Sequence, residues 1–229
     1  INSNILQAVY KAVCNNAKAP LSRCPTWTFG DSLESGFAFA DIDGDLDLDV
    51  AVSKDSASFY PGPCEVYKNE GGVLSAKPVW TSDVYHLSRD LEWGEATKKD
   101  IMTNTEWFCG NGLKKIYQLK HVPLHRVLSV SVSINTLSLT QYCARVDQGR
   151  VSFAKAPPRG LFNVKIAYEY STKPDLLIAD PFGFDALRIY QDAGSGGDTK
   201  ADWKGPGGLV SDAAWGDIDQ DGDLDVAVA

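Results

Sequence analysis

A chain of 229 residues with 44% hydrophobic content can bury a full core, and its longest apolar runs are strand-sized, which excludes a membrane-spanning helix. Its formal net charge of −8, from 30 acidic against 22 basic side chains, argues against nucleic-acid binding, which needs a basic face. Cys14, Cys24, Cys64, Cys109 and Cys143 suit an oxidising exterior, and their odd number leaves one thiol free or intermolecular. The chain opens at Ile1 with neither methionine nor leader, as expected of a processed or trimmed product.

In chain order, a unit opens four times: at Val9-Tyr10-Lys11, Val66-Tyr67-Lys68, Ile116-Tyr117-Gln118 and Ile189-Tyr190-Gln191, with tyrosines 57, 50 and 73 residues apart. In the first, second and fourth units a tryptophan follows 13 to 17 residues later (Trp27, Trp80, Trp203), and another aromatic 12 or 13 residues beyond it (Phe39, Trp93, Trp215). An acidic stretch and a β-branched strand come next. This period, with short strands and turn residues between them, predicts an all-β repeat architecture, with a propeller the form that fits best.

The first acidic stretch runs Asp41-Ile42-Asp43-Gly44-Asp45-Leu46-Asp47-Leu48-Asp49, and its near twin is Asp217-Ile218-Asp219-Gln220-Asp221-Gly222-Asp223-Leu224-Asp225. Carboxylates at positions 1, 3, 5 and 9, a turn at 6 and a carbonyl at 7 can wrap a hard cation with the oxygens that calcium takes. Neither stretch contains His or Cys, which disfavours zinc and copper. In the first, Leu46 stands where glycine is wanted, so that site is expected to be the weaker. The equivalents further along, Trp93-Gly94-Glu95 to Asp100 with Lys99 in a ligand position, and Tyr168 to Asp175, are read as loops that have lost the ion. Between 124 and 170, alternating runs broken by Gly and Pro predict an inserted antiparallel β module, either a contact arm or an extension of one blade.

Ala214-Trp215-Gly216-Asp217 through Ala229, and Val66-Tyr67-Lys68-Asn69-Glu70-Gly71-Gly72 through Asp83, resemble FG-GAP/VCBS repeats, the units of integrin α-chain headpieces and of many secreted propellers. The resemblance implies a single β-propeller over 1–229, of about four blades with the 124–170 insertion in the third. It implies calcium held by Asp217, Asp219, Asp221, Asp223 (through its carbonyl) and Asp225, and by Asp41, Asp43, Asp45, Asp47 (likewise) and Asp49.

No nucleophile elbow, Walker loop or Cys-x-x-Cys is present, so no enzyme is expected. His121 and His125 flank Pro123, which breaks any helical ligand pair, and they are read as surface histidines. Cys14 is expected to bridge Cys24 and Cys109 to bridge Cys143, with Cys64 left over. The expected function is an extracellular or cell-surface calcium-binding propeller with a structural, adhesive or assembly role. It would meet protein or polysaccharide surfaces, with no nucleic acid and no membrane span. The alternative is a carbohydrate-binding or polysaccharide-active propeller. The terminal strands, Ile1–Lys11 and Leu224–Ala229, are read as complementary halves of one unit that close a ring within the chain or join neighbouring copies into a surface filament.

Overall fold

The computed structural model describes residues 33–55, 61–86, 90–180, 186–205, 207–219, 221 and 223–229. The first expected unit opening, Val9-Tyr10-Lys11, together with Trp27, Cys14, Cys24 and the N-terminal strand, lies outside these. Among the described residues the chain is all-β, with one short 3-10 turn, several antiparallel sheets and no barrel closure.

The first sheet is a meander of β1 (Leu33–Ala40), β2 (Asp49–Asp55), β3 (Pro61–Tyr67) and, after a small hairpin of β4 (Asn69–Glu70) and β5 (Val73–Leu74), β6 (Trp80–His86). β7 (Asp90–Gly94) then opens a second sheet, but its partner comes only after residues 95–174. That excursion contains β8 (Ile101–Gly110), β9 (Ile116–Gln118), β10 (Leu124–Val132), β11 (Asn135–Thr136), β12 (Tyr142–Arg145), the 3-10 turn Val146–Gln148, β13 (Arg150–Phe153) and β14 (Gly160–Ser171). The second sheet resumes with β15 (Asp175–Ala179), β16 (Leu187–Tyr190) and β17 (Trp203–Lys204), in the order β7-β15-β16-β17. β18 (Ala213–Gly216) and β19 (Asp225–Val228) form a third, two-stranded sheet.

Registers show that these sheets repeat one plan. Ala40, Gly94 and Gly216 stand opposite Asp49, Asp175 and Asp225, and the preceding aromatics Phe39, Trp93 and Trp215 oppose Val50, Leu176 and Val226. On the next strand Tyr67 pairs with Val50 as Tyr190 pairs with Leu176. On the fourth, Trp80 pairs with Val66 as Trp203 pairs with Ile189. The second and fourth openings in the sequence therefore mark equivalent strands. Tyr117 does not: its strand β9 pairs with β13 inside the excursion.

Alternating side chains send apolar groups to both faces of each sheet. One core lies between the first and second sheets, where Ile42, Val66, Trp80, Trp93, Ile178 and Tyr190 meet. A second joins the second and third sheets through Leu177, Leu187, Ile189 and Trp215. The packing is close enough that a Cβ on Gly94 would lie 2.7 Å from the Trp215 ring.

The expected insertion at 124–170 is part of a larger body. Its strands pair with residues 101–110 and 116–118 to make two sheets, β11-β10-β14-β8 and β12-β13-β9, around Tyr117, Leu124, Val130, Phe153, Ile166 and Tyr168. It grows from the loop joining the first two strands of the second sheet.

Candidate metal centres

The two acidic stretches fill the same place, the turn between the first and second strands of the first and third sheets. The pleat leaves each closing aspartate at the mouth of its turn, and that side chain ties the turn shut. Ile42 N–H donates to Asp49 Oδ2 at 2.9 Å, and Ile218 N–H donates to Asp225 Oδ2 at 2.9 Å. Within each turn the aspartates brace one another by short Asx turns. Asp45 and Asp221 N–H donate to Asp43 and Asp219 Oδ1 at 3.3 and 3.2 Å, and Asp47 and Asp223 N–H donate to Asp45 and Asp221 Oδ1, both at 2.8 Å. In the first turn Asp41 also accepts from Gly44 and Leu46 N–H.

This folding brings together Asp41, Asp43 and Asp49, and separately Asp217, Asp219 and Asp225, with a carboxylate oxygen from each residue within 4.8 Å of those of the other two. Asp45, Asp47, Asp221 and Asp223 fall outside these triads. Asp47 instead reaches across to the β4–β5 turn, accepting Gly71 N–H at 2.8 Å, while Asp49 Oδ1 accepts Asn69 N–H at 2.7 Å. The Asn69-Glu70-Gly71-Gly72 motif thus acts as the outer wall of the first site. Gly222 lies outside the described residues.

Crowded carboxylates need a positive charge. Burial, with Asp43 and Asp41 close by, pushes Asp49 up to about 7 despite the two N–H groups that favour its ionised form. Asp41 is raised by burial too. Lys68 Nζ lies 3.3 Å from Asp43 Oδ2, and Lys98 contacts Asp223. Asp217 Oδ1 is buried with no hydrogen-bond partner among the described residues. An oxygen-only donor set with an unsatisfied buried oxygen fits a hard divalent cation by ligand type.

The second sheet has the same turn, hidden in the sequence because its two ends, Glu95 and Asp175, lie 80 residues apart. Asp175 Oδ2 accepts Ala96 N–H at 2.8 Å and its Oδ1 accepts Asp192 N–H at 3.1 Å, the bonds that Asp49 makes to Ile42 and Asn69. Glu95 and Asp175 are therefore the first and last acids of a turn into which the excursion has been inserted. Here the charge is met by hydrogen bonds: Glu95 accepts from Thr97 N–H and Oγ1 and from Ser171 Oγ at 2.7–2.9 Å. Asp175 is pushed up to about 7 by burial, with Glu95 and Asp192 adding to it.

The excursion's base lies over both flanking turns. Asp41 N–H donates to Val122 O at 2.8 Å, Lys98 meets Asp223, and Arg126, held by Glu169, senses Asp217. Between that base and the first strands β1 and β7 is a cavity of about 490 Å³, lined by Phe37, Phe39, Trp93, Glu92, Asp147 and Arg150 among others.

Two expectations need correction. His121 and His125 are not surface accidents. His121 Nδ1 is 2.7 Å from Tyr168 Oη and its ring stacks on Tyr170 at 3.7 Å, and His125 is buried, because β10 and β14 enclose them in the inserted module. Cys109 and Cys143 form no disulfide; both are exposed thiols on strands of the two different sheets of that module. Compared with known protein families, with curated proteins and with solved structures, the chain matches none.

Proposed function

We propose that this chain is a calcium-stabilised β-propeller-type scaffold whose role is binding or assembly at an extracellular surface. The observation that carries the reading is the pair of aspartate triads at equivalent turns of two sheets, each closed by the same hydrogen bond from the second residue to the last aspartate. The ligands would be Asp41, Asp43 and Asp49 in one site and Asp217, Asp219 and Asp225 in the other. Asp45, Asp47, Asp221 and Asp223 would hold the turns. The shared strand register of the three sheets supports the repeat, with the number of blades part of the proposal. Filling both sites would tie turn to sheet, since Asp49 belongs at once to the triad, to Ile42 and to Asn69. Isothermal titration with Ca²⁺ and Mg²⁺ tests it: two sites are expected, with calcium preferred and the second tighter, and absence of calcium heat at both sites contradicts it.

The alternative reading, a carbohydrate-binding propeller, draws on the cavity under the inserted module. Aromatic Phe37 and Phe39, the acids Glu92 and Asp147, and Arg150 line it together with Trp93, whose indole N–H is buried without a hydrogen-bond partner. Apolar walls with a few convergent polar groups suit a small polyhydroxyl ligand. A glycan array separates the readings: retention of a glycan, lost on Glu92→Ala, favours the cavity as the working site.

A further inference from the structure

The inserted module has the opposite charge from the rest of the chain. Residues 101–171 hold nine Lys and Arg against three Asp and Glu, a net of +6, which leaves −14 on the remainder of a chain whose total is −8. The topology also separates its two ends. β8, β9, β10, β12, β13 and β14 alternate in direction, so the connections 111–115, 133–141 and 154–159 all emerge at the end away from the acidic turns, while 119–123 and 146–149 emerge at the base.

Asn163 gathers the distal connections into one surface. Its Oδ1 accepts Gly110 N–H at 2.8 Å, its carbonyl accepts Ser133 N–H at 2.6 Å, and its Nδ2 donates to Pro158 O at 2.9 Å. From that end project Leu113 (84% exposed), Ile134 (96%), Leu139 (66%), Leu161 (84%) and Phe162 (65%). Beside them stand Lys114, Lys115, Lys155 and Arg159, all exposed, and the three connections contain no Asp or Glu. Scattered single apolar side chains on a surface are ordinary, but five bulky ones gathered at one end of a module are not.

We propose that the distal end of the inserted module seats on an anionic phospholipid bilayer. Bulky side chains on separate connection tips enter the interface between headgroups and acyl chains, and the lysines and the arginine meet the headgroup phosphates and carboxylates. A soluble polyanion would satisfy the cations but offer nothing to Ile134 and Leu161. A folded protein partner would need a surface shaped to these separate tips, whereas a fluid bilayer adapts to them. The acidic remainder of the chain, repelled by the same surface, holds the module end-on.

Vesicle flotation with the full chain tests this, using phosphatidylcholine vesicles with and without phosphatidylserine, in calcium and in EDTA. The wild type is expected to float with the phosphatidylserine vesicles in both buffers, less so at high salt, and to ignore pure phosphatidylcholine. Leu161→Ser with Phe162→Ser, and separately Lys114→Glu with Lys115→Glu, are each expected to lower the partition by roughly tenfold or more with unchanged melting. Should either pair melt early, Ile134→Ser, at the most exposed position, is expected to weaken flotation severalfold. No flotation of the wild type overturns the proposal, as does flotation that the apolar variants leave intact. Flotation abolished by EDTA and untouched by every tip variant overturns it too, since the acidic turns would then be the lipid contact.

Discussion

Leu46 is the residue at which the first acidic turn departs from its own logic. It takes φ +72°, the left-handed conformation that glycine adopts freely and that strains a branched side chain by roughly 1–2 kcal/mol. Its side chain is half exposed, so little burial is lost on removing it. Leu46→Gly is accordingly expected to stabilise the protein by about 1 kcal/mol in calcium and to tighten the first site, read by calorimetry and thermal melting. Glu92 supplies a second test. Burial first, then Asp147, Asp90 and Asp212, push it up to about 8, against a smaller opposite pull from Arg145. A carboxyl that binds its proton more tightly folded than unfolded lowers stability as pH rises above its ordinary value near 4.5, and the loss is complete only above about 8. Glu92→Gln keeps the neutral form at every pH. The variant is expected to be more stable than wild type at pH 8, with the gain shrinking on acidification and gone near pH 4.5. An equal gain at both pH values would show that the carboxyl is not the cause.

At the scale of elements, the recurrence is legible because the sheets mark the same strands with the same aromatics. Tyr67 with Tyr190, Trp80 with Trp203, and Phe39 with Trp93 and Trp215 all take equivalent positions in register. Tyr117 is the misleading one. Ile116-Tyr117-Gln118 imitates the opening of a unit, yet it is a core strand of the inserted module, where Tyr117 packs on Phe108 and Phe153. The split turn is hidden for a related reason: local pattern cannot say that Ala96 N–H, 79 residues before Asp175, is its partner. The histidines escape a local reading because Pro123 signals open loop, while long-range pairing of β10 with β14 encloses the residues on either side of it. Gly94 reports on the packing between sheets. A methyl there would meet the Trp215 ring, itself held in a core, so Gly94→Ala is expected to cost about 1–3 kcal/mol in denaturant unfolding. A neutral result would mean that the second and third sheets do not pack as described.

For the whole molecule, the inserted module links the two aspartate sites without belonging to either. It leaves the middle turn, gives Val122 O to Asp41 N–H on one side and places Lys98 against Asp223 on the other. Ions that order both turns would then steady the base of the module, and hydrogen exchange at residues 96–100 and 119–126 is expected to slow on adding calcium. Exchange unchanged there, with protection confined to 41–49 and 217–225, would separate the module from the sites. No helix among the described residues is long and apolar enough to cross a membrane. A cation that binds the folded chain and not the unfolded one stabilises it by mass action, by about 2.7 kcal/mol at a hundredfold excess over Kd. The most direct measurement is therefore thermal melting in calcium, in magnesium and in EDTA, for wild type, Asp49→Asn and Asp225→Asn. The wild type is expected to melt several degrees higher in calcium than in EDTA, with magnesium between them and each variant losing part of that rise. A wild-type curve that does not move between calcium and EDTA contradicts the account.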